Sequence, residues 1–387
     1  LGRGDIVMTL GLLLVLLMST LLPSFVISLV LVAVVRRLAQ SLGLMDRPGA
    51  RKVHTHPIPL GGGLGIWGAV VTTFLAGGIA VAAYRAGWLS SLESSFPIPS
   101  EVKVHFPGMM YRFWQIVALL GAGTVLMLLG LADDKYGLKW QIRLGVEFAV
   151  AAFVVFGLGM QLTAFLPWGW LAGLISMLWI VALVNSFNML DNMDGLSGGV
   201  AAIAASLLAV MLLSLPGTDR TLPQIFVAAM LLALVGGLLG FLVHNWPPAK
   251  IFMGDAGSYF VGFWIACCTL LATYAGSKTS QSHAVLAPVC VLAIPLYDML
   301  SVILIRLSEG RSPFEGDKRH FSHRLVEMGL TKKQAVLTIY LATATCGLGA
   351  LLLPQVDYYG AAIVLAIIVC TLGLIRILES QAWERNN

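Results

Sequence analysis

The sequence predicts an all-α, polytopic integral membrane protein: one helical bundle of about eleven transmembrane helices, a single transmembrane catalytic domain occupying residues 1–387. Three observations predict it. Charged residues make up only 11% of the chain, against roughly a quarter in soluble proteins, while 58% are hydrophobic and mean hydropathy is +0.88. Apolar runs of membrane length recur from end to end. These runs lack period-two alternation, and only helices and closed barrels satisfy their backbone in lipid, so helices are expected.

The runs lie near 8–35, 63–84, 114–131, 145–161, 169–186, 198–214, 224–243, 258–275, 285–306, 334–353 and 359–377. The first is too long for a signal-peptide core and is expected to be retained as a span. The five cysteines (Cys267, Cys268, Cys290, Cys346 and Cys370) all fall inside apolar runs without paired or metal-like spacing, and read as small buried hydrophobes.

Lys and Arg set the orientation. Loops 36–62, 132–144, 187–197, 244–257 and 307–333, with the tail from 378 and the helix-end Arg306 and Arg376, hold 18 of the 24 basic residues. By the positive-inside rule that set is cytoplasmic, which puts the N-terminus outside and the C-terminus inside. The net charge of +5 is explained by topology, without nucleic-acid binding. The external loop 85–113 has no constellation of titratable groups and reads as a connector.

The unusual polar clusters then collect on the cytoplasmic face. The first loop, MDRPGARKVHTHPIPLGGG, carries Arg47, Arg51, Lys52, His54 and His56, either as positive-inside anchors or as phosphate ligands. The GLGIWG that follows matches a dinucleotide fingerprint formally. With no strand before it and a membrane helix after it, the glycines are expected to let backbone or ligand approach closely. In LADDK, Asp133 and Asp134 project about 100° apart on a helix, so one can face a site while the other binds a nearby Lys or Arg.

The stretch NSFNMLDNMDG places Asn185, Asn188, Asp191 and Asp194 at intervals of three, a polar stripe if helical. With no Lys or Arg between them, their repulsion calls for an external cation or a donor-rich ligand; a polar seam between helices is the alternative. Its DNMDG resembles the start of the CDP-alcohol phosphotransferase motif, but Ser197, Gly198 and an apolar helix follow where that family has further charged residues.

In HNWPPAKIFMGDAGS a single carboxylate, Asp255, stands between glycines where one apolar run has ended and the next begins, with Asn245 and Lys250 nearby. A following helix N-terminus would favour phosphate, and Mg2+ takes one or two carboxylates plus substrate oxygens. The plain alternative is a polar turn with Asp255 as N-cap. Asp298 lies within the ninth run, where a charge costs roughly 2.5–3.5 kcal/mol, and must face protein or be neutral. The last loop carries Asp317, Lys318, Arg319, His320, His323 and Arg324; without a third ligand or a cytoplasmic Cys it reads as an anion cluster, not zinc.

Five carboxylates, two basic clusters and a phosphate loop on one face suit a divalent-metal reaction on a diphosphate whose partner is anchored in lipid. RKVHTHPIPLGGG, GLADDK, NSFNMLDNMDG, HNWPPAKIFMGDAGS and DKRHFSHRL resemble, in order and spacing, the polyprenyl-phosphate N-acetylhexosamine-1-phosphate transferases (glycosyltransferase family 4), from about Asp46 to Lys333. The long final loop looks like the UDP-GlcNAc:undecaprenyl-phosphate branch that starts enterobacterial common antigen, O-antigen, teichoic acid or arabinogalactan linkage. Ser322 stands where close relatives often have His, and Asn192 where the family often has Gly.

The resemblance implies Mg2+-dependent attack of a lipid phosphate on the β phosphorus of a UDP-N-acetylhexosamine, with Mn2+ as a substitute metal. Asp255 and Asn188 match metal ligands. Asp133, with Asp134 beside it, matches the residue that positions or deprotonates the lipid phosphate, Lys52 would hold that phosphate, and His320, His323 and Arg324 the diphosphate. Asp191, Asp194, Asn245 and Phe252 match the nucleotide side, Phe252 stacking on uracil. A plasma-membrane enzyme with a cytoplasmic site follows, as does a homodimer, for which the sequence shows no interface signature. The rival from another class, a transporter or flippase, should carry its charges near the bilayer midplane, where only Asp298 lies. The muramoyl-pentapeptide transferase, an enzyme of the same chemistry, usually has a shorter last loop with three consecutive histidines.

Overall fold

In the computed structural model, residues 10–46, 56–88, 103, 106–111, 113–162, 168–214, 222–272, 282–316 and 319–386 are described; Lys52, Asp317 and Lys318 lie outside them. The apolar helix Leu13–Leu42 contains a π turn at Leu17–Leu21 and ends in α1 (Leu22–Leu42). It is followed by a two-residue antiparallel ribbon, β1 (Met45–Asp46) with β2 (Ile58–Pro59). Helices α2 (Gly62–Arg85), α3 (Phe113–Tyr136), α4 (Trp140–Ala152), α5 (Gly169–Leu190), α6 (Leu196–Ser214) and α7 (Leu222–Asn245) come next. The chain closes with α8 (Asp255–Leu271), α9 (Ala293–Ser308), the short α10 (Phe321–Glu327), α11 (Lys332–Ala350) and α12 (Tyr358–Asn386).

Among the described residues, nine helices are long and apolar enough to cross a membrane. The number is ten if His283–Val291 and Ala293–Ser308, bent by 68°, count as one. Helix α8 is apolar but has 17 residues, about 26 Å against a hydrocarbon core of about 30 Å. The chain is a multi-pass helical membrane protein. The ribbon departs from the all-α expectation, because the ends of the first polar loop pair with each other.

Helix α8 is the axis of the bundle. Every residue from Ala256 to Leu270 is buried, and it packs mainly against α5 and α3, then α2 and α7. At the rim, α1 exposes Leu22, Val26, Val30, Val34 and Leu38 at intervals of four, the stripe expected of a lipid-facing helix. Its other face meets α7 through polar links, Ser24 Oγ donating to Ala233 O and Ser28 Oγ to Gly237 O, each at 2.6 Å. Such bonds hold helices together where lipid offers no hydrophobic drive. Cys370 on α12 is exposed, unlike the other four cysteines, because it lies on this rim.

The glycine run at the start of α2 brings two backbones together, as its composition suggests. Gly62 and Gly63 donate their N–H groups to Phe252 O and Met253 O, both at 2.9 Å, and Phe252 N–H donates to Pro59 O at 2.9 Å. A Cβ on Gly63 would overlap the Gly257 backbone. The segment leading into α8 is thereby clamped to the start of α2.

Candidate active site

The polar centre is built around the N-terminus of α8. Its cap position is Gly254, with φ 74° and no side chain to offer; a Cβ there would lie 2.5 Å from Asp134 Oδ2. Asp134, at the end of α3, supplies the cap instead. Its Oδ1 accepts Asp255 N–H at 2.9 Å and its Oδ2 accepts Ala256 N–H at 3.3 Å. A carboxylate at a helix N-terminus satisfies orphan donors and complements the dipole. The next two N–H groups, of Gly257 and Ser258, turn back to Gly254 O at 3.0 and 3.1 Å. The helix start that the sequence offers to phosphate is therefore filled from within, and Asp255 is the first residue of the helix, not its cap.

The neighbouring Asp133 is buried and heavily bonded. Oδ1 accepts Leu138 N–H at 2.6 Å; Oδ2 accepts Arg143 at 2.6 Å and the Tyr259 hydroxyl at 3.3 Å. The expected split between the two aspartates is present, with Asp133 holding the arginine and Asp134 facing the α8 terminus. The Asp133 carboxyl is also within hydrogen-bonding reach of Asp255. Asp255 accepts Asn188 Nδ2 at 2.7 Å, and the same amide reaches Ser258 Oγ at 3.2 Å. The two matched metal ligands thus meet.

The polar stripe from Asn185 to Asp194 is not continuous. Helix α5 ends at Leu190, and Asp191 leaves helical geometry at φ −79°, ψ 57°, because Gly195 with φ 75° lets the chain turn into α6. Asn185 faces away, donating to Glu147 at 2.5 Å. Asp191 accepts the Gly254 N–H. Burial pushes its carboxyl up to about 7, with the charge of Asp134 adding and the Gly254 bond opposing. Asp134, Asn188, Asp191 and Asp255 are all half-buried, so the group keeps access to a ligand.

Asp194 and Asn245 sew two loops together. Asp194 Oδ2 accepts Ala249 N–H at 2.9 Å; buried Asn245 accepts Gly195 N–H and donates to Ile251 O, both at 2.8 Å. These bonds fix the loop that carries the half-buried Phe252, three residues before Asp255.

The basic residues divide. His320 precedes α10 in extended conformation (φ −70°, ψ 152°) and His323 lies on the helix, with ring centroids 6.3 Å apart. A hydrogen bond from Ser322 Oγ to Asn192 Oδ1 ties this segment to the aspartate loop. Arg324 turns elsewhere. It donates to Ser301 Oγ at 2.8 Å and pairs with Glu379 of α12 at 3.3 Å, so the structure does not bring it to the carboxylates. Successive helical residues diverge by about 100°, so His323 and Arg324 cannot share a face.

Sequence reasoning missed Glu147, Tyr259 and Arg143. Glu147 is buried on α4, whose 13 residues form an 18-residue candidate span with the π turn Phe153–Gly157 that follows. Asp298 is therefore not alone within the apolar runs, and the rule that flagged it, an acid inside an apolar run, also finds Glu147. Among the described residues, no three His, Cys, Asp or Glu side chains form a ready cage for a metal ion. A hard cation that keeps waters and takes substrate oxygens needs only one or two protein ligands, and the oxygens of Asp255 and Asn188 suit one. Asn188 now turns its amide nitrogen to Asp255 and would have to present its oxygen.

The glycosyl transferase family 4 profile matches residues 116–273, which hold the whole carboxylate group. The chain is 30% identical to the probable undecaprenyl-phosphate N-acetylglucosaminyl 1-phosphate transferase of Bacillus subtilis, over 92% of each chain. It is 33% identical to the decaprenyl-phosphate N-acetylglucosaminephosphotransferase of Mycobacterium tuberculosis, over 82% of this chain and 77% of that one. With the undecaprenyl-phosphate alpha-N-acetylglucosaminyl 1-phosphate transferase of Escherichia coli K12 it shares 30% identity over 84% and 81%. The acids gathered at the head of α8 and these similarities over most of each chain agree: the chain belongs to glycosyl transferase family 4, as a membrane-embedded phosphoglycosyl transferase.

Proposed function

We propose that this protein transfers N-acetylglucosamine 1-phosphate from UDP-N-acetylglucosamine to undecaprenyl phosphate, releasing UMP. The observation that carries this reading is the convergence of Asp133, Asp134, Asp191, Asp255 and Asn188 at the half-buried start of α8, at the end of a bundle of apolar helices. An oxygen of the lipid phosphate attacks the β phosphorus; the new P–O bond forms as the bridging bond to the α phosphate breaks, and UMP carries the electron pair away. Positioning and charge neutralisation dominate such transfers. The lipid phosphate is already anionic at neutral pH, so Asp133, held by Arg143, orients it and is not required as a strong base.

Asp255 and Asn188 would hold a divalent cation, Mg2+ or Mn2+, which when bound supplies charge neutralisation on the diphosphate. Asp134 sets the α8 terminus and so the direction of Asp255. Asp194 and Asn245 act on the nucleotide side by fixing the loop that presents Phe252 to the base, with Asp191 beside them. His320 and His323 contribute the anion-binding edge, and Lys52 the lipid-phosphate contact. The bundle sits in the plasma membrane as one catalytic domain with the N-terminus outside. Its eleven crossings count α8 and the bent pair once each, and the site opens to the cytoplasm.

Labelled lipid product from undecaprenyl phosphate and radiolabelled UDP-N-acetylglucosamine is expected with Mg2+, and none with EDTA. Product only from UDP-N-acetylgalactosamine or UDP-MurNAc-pentapeptide would overturn the donor, and silence with every UDP-sugar would overturn the reaction.

A further inference from the structure

Helix α9 carries one buried acid, Asp298, with 0% exposure, and both of its oxygens serve a single neighbouring segment. Oδ2 lies 2.9 Å from Nδ1 of His320, and Oδ1 accepts the Phe321 N–H at 2.6 Å. One turn on, Ser301 Oγ donates to Asp298 O at 3.1 Å and accepts from Arg324 at 2.8 Å, with Glu379 on the far side of that guanidinium. The start of α10 is thus docked on α9 at three successive points, while Ser322 joins it to Asn192 in the aspartate loop.

A carboxylate beside Nδ1 can only accept, so the proton of a neutral His320 ring is assigned to Nδ1. Nε2 is left as the one ring nitrogen able to serve a ligand, accepting when the ring is neutral and donating when it is protonated. The same arrangement orients histidines in many sites where a second atom must be aimed. We infer that Asp298 is a positioning residue for the transfer reaction: it fixes the ring plane of His320 and holds the Nδ1 proton, so that the protonated ring donates from Nε2–H to a phosphate oxygen of the bound substrates. The inference rests on the sugar-phosphate transfer proposed above. It also explains why an acid persists inside an apolar helix, where an unpartnered carboxylate would be costly.

Asp298→Asn tests it, because the amide keeps the shape but accepts through one oxygen only. Its NH2 group cannot accept the Nδ1 proton, and the negative charge that supports the imidazolium is gone. Expected is a fall in kcat of about 10–100-fold with little change in KM for the UDP-sugar. His320→Gln should fall at least as far, and the double variant no further than His320→Gln alone. Losses that multiply in the double variant, or full activity in Asp298→Asn, would overturn the assignment. Should Asp298→Asn fail to fold, 15N-histidine NMR of the wild type reads the tautomer directly. The signal absent from His320→Gln is expected to report Nδ1–H when the ring is neutral, and Nε2–H would overturn it. A wild type that makes no lipid product overturns the transfer itself, a result distinct from any of these.

Discussion

Two helices meet the polar site with their N-termini, α8 and α10, and neither caps itself: Gly254 and His320 stand at their cap positions without a side-chain hydrogen bond to the helix. Each borrows an aspartate from another helix, Asp134 from α3 and Asp298 from α9. The difference lies in the second oxygen. Asp134 spends both on backbone N–H groups, so its charge joins those of Asp133, Asp191 and Asp255 in a region that favours a cation. Asp298 divides between a backbone N–H and an imidazole, which turns the same motif into a mount for a donor to anions. One capping device, placed twice, gathers carboxylates at one helix start, the acidic pole, and imidazole and guanidinium groups at the other, the basic pole.

The sharpest way to break the comparison is at the acidic pole. Asp255→Ala should lower the rate of lipid-product formation by about 10³-fold, with the detergent-solubilised protein still folded by its thermal melt. Near wild-type turnover would remove the α8 terminus from the chemistry. At the basic pole, Arg324→Met should destabilise by about 3–5 kcal/mol, since it strands Glu379 in the bundle. Adding Glu379→Leu should restore the melting temperature and most activity. A double variant that is stable yet inactive would make Arg324 a substrate ligand after all.

Asp134→Asn should cost about 1–2 kcal/mol as a weakened cap and reduce activity further than stability, measured by melt and assay on one preparation. Asp191 offers a pH test. Its carboxyl, raised to about 7 from the ordinary 3.8, binds a proton in the folded state that the unfolded chain has lost. Stability in EDTA should therefore be highest in acid and decline as pH rises from about 4 to about 7, by at most about one proton of slope. Asp191→Asn should flatten that slope; an unchanged slope assigns it to other groups. Smallest is Ser322→Ala, expected to cost about 1 kcal/mol and a few-fold in kcat, since Asp298 still docks α10.

Much of this was legible beforehand for a physical reason. Apolar runs long enough to span a bilayer announce themselves one segment at a time, and all eleven correspond to helical segments here. Asp255 and Asn188 stood out as an acid and an amide at the ends of apolar runs, and the structure brings their side chains together at 2.7 Å. The direction of Arg324 was not legible, since it depends on Glu379, 55 residues later in the sequence and on another helix. Nor was the interruption of the Asn185–Asp194 stripe, which a regular spacing conceals until Gly195 turns the chain.

Composition and order along the chain determined by themselves that this protein is a helical membrane bundle with its acids and bases gathered in a few loops. Those are local quantities, readable one helix at a time. Only the tertiary structure decided which carboxylate serves which partner. Asp133 went to Arg143, Asp134 to the start of α8 and Asp298 to His320. A charge inside a bundle takes whichever donor the neighbouring helices bring within about 3 Å, and that proximity is a property of packing, not of spacing.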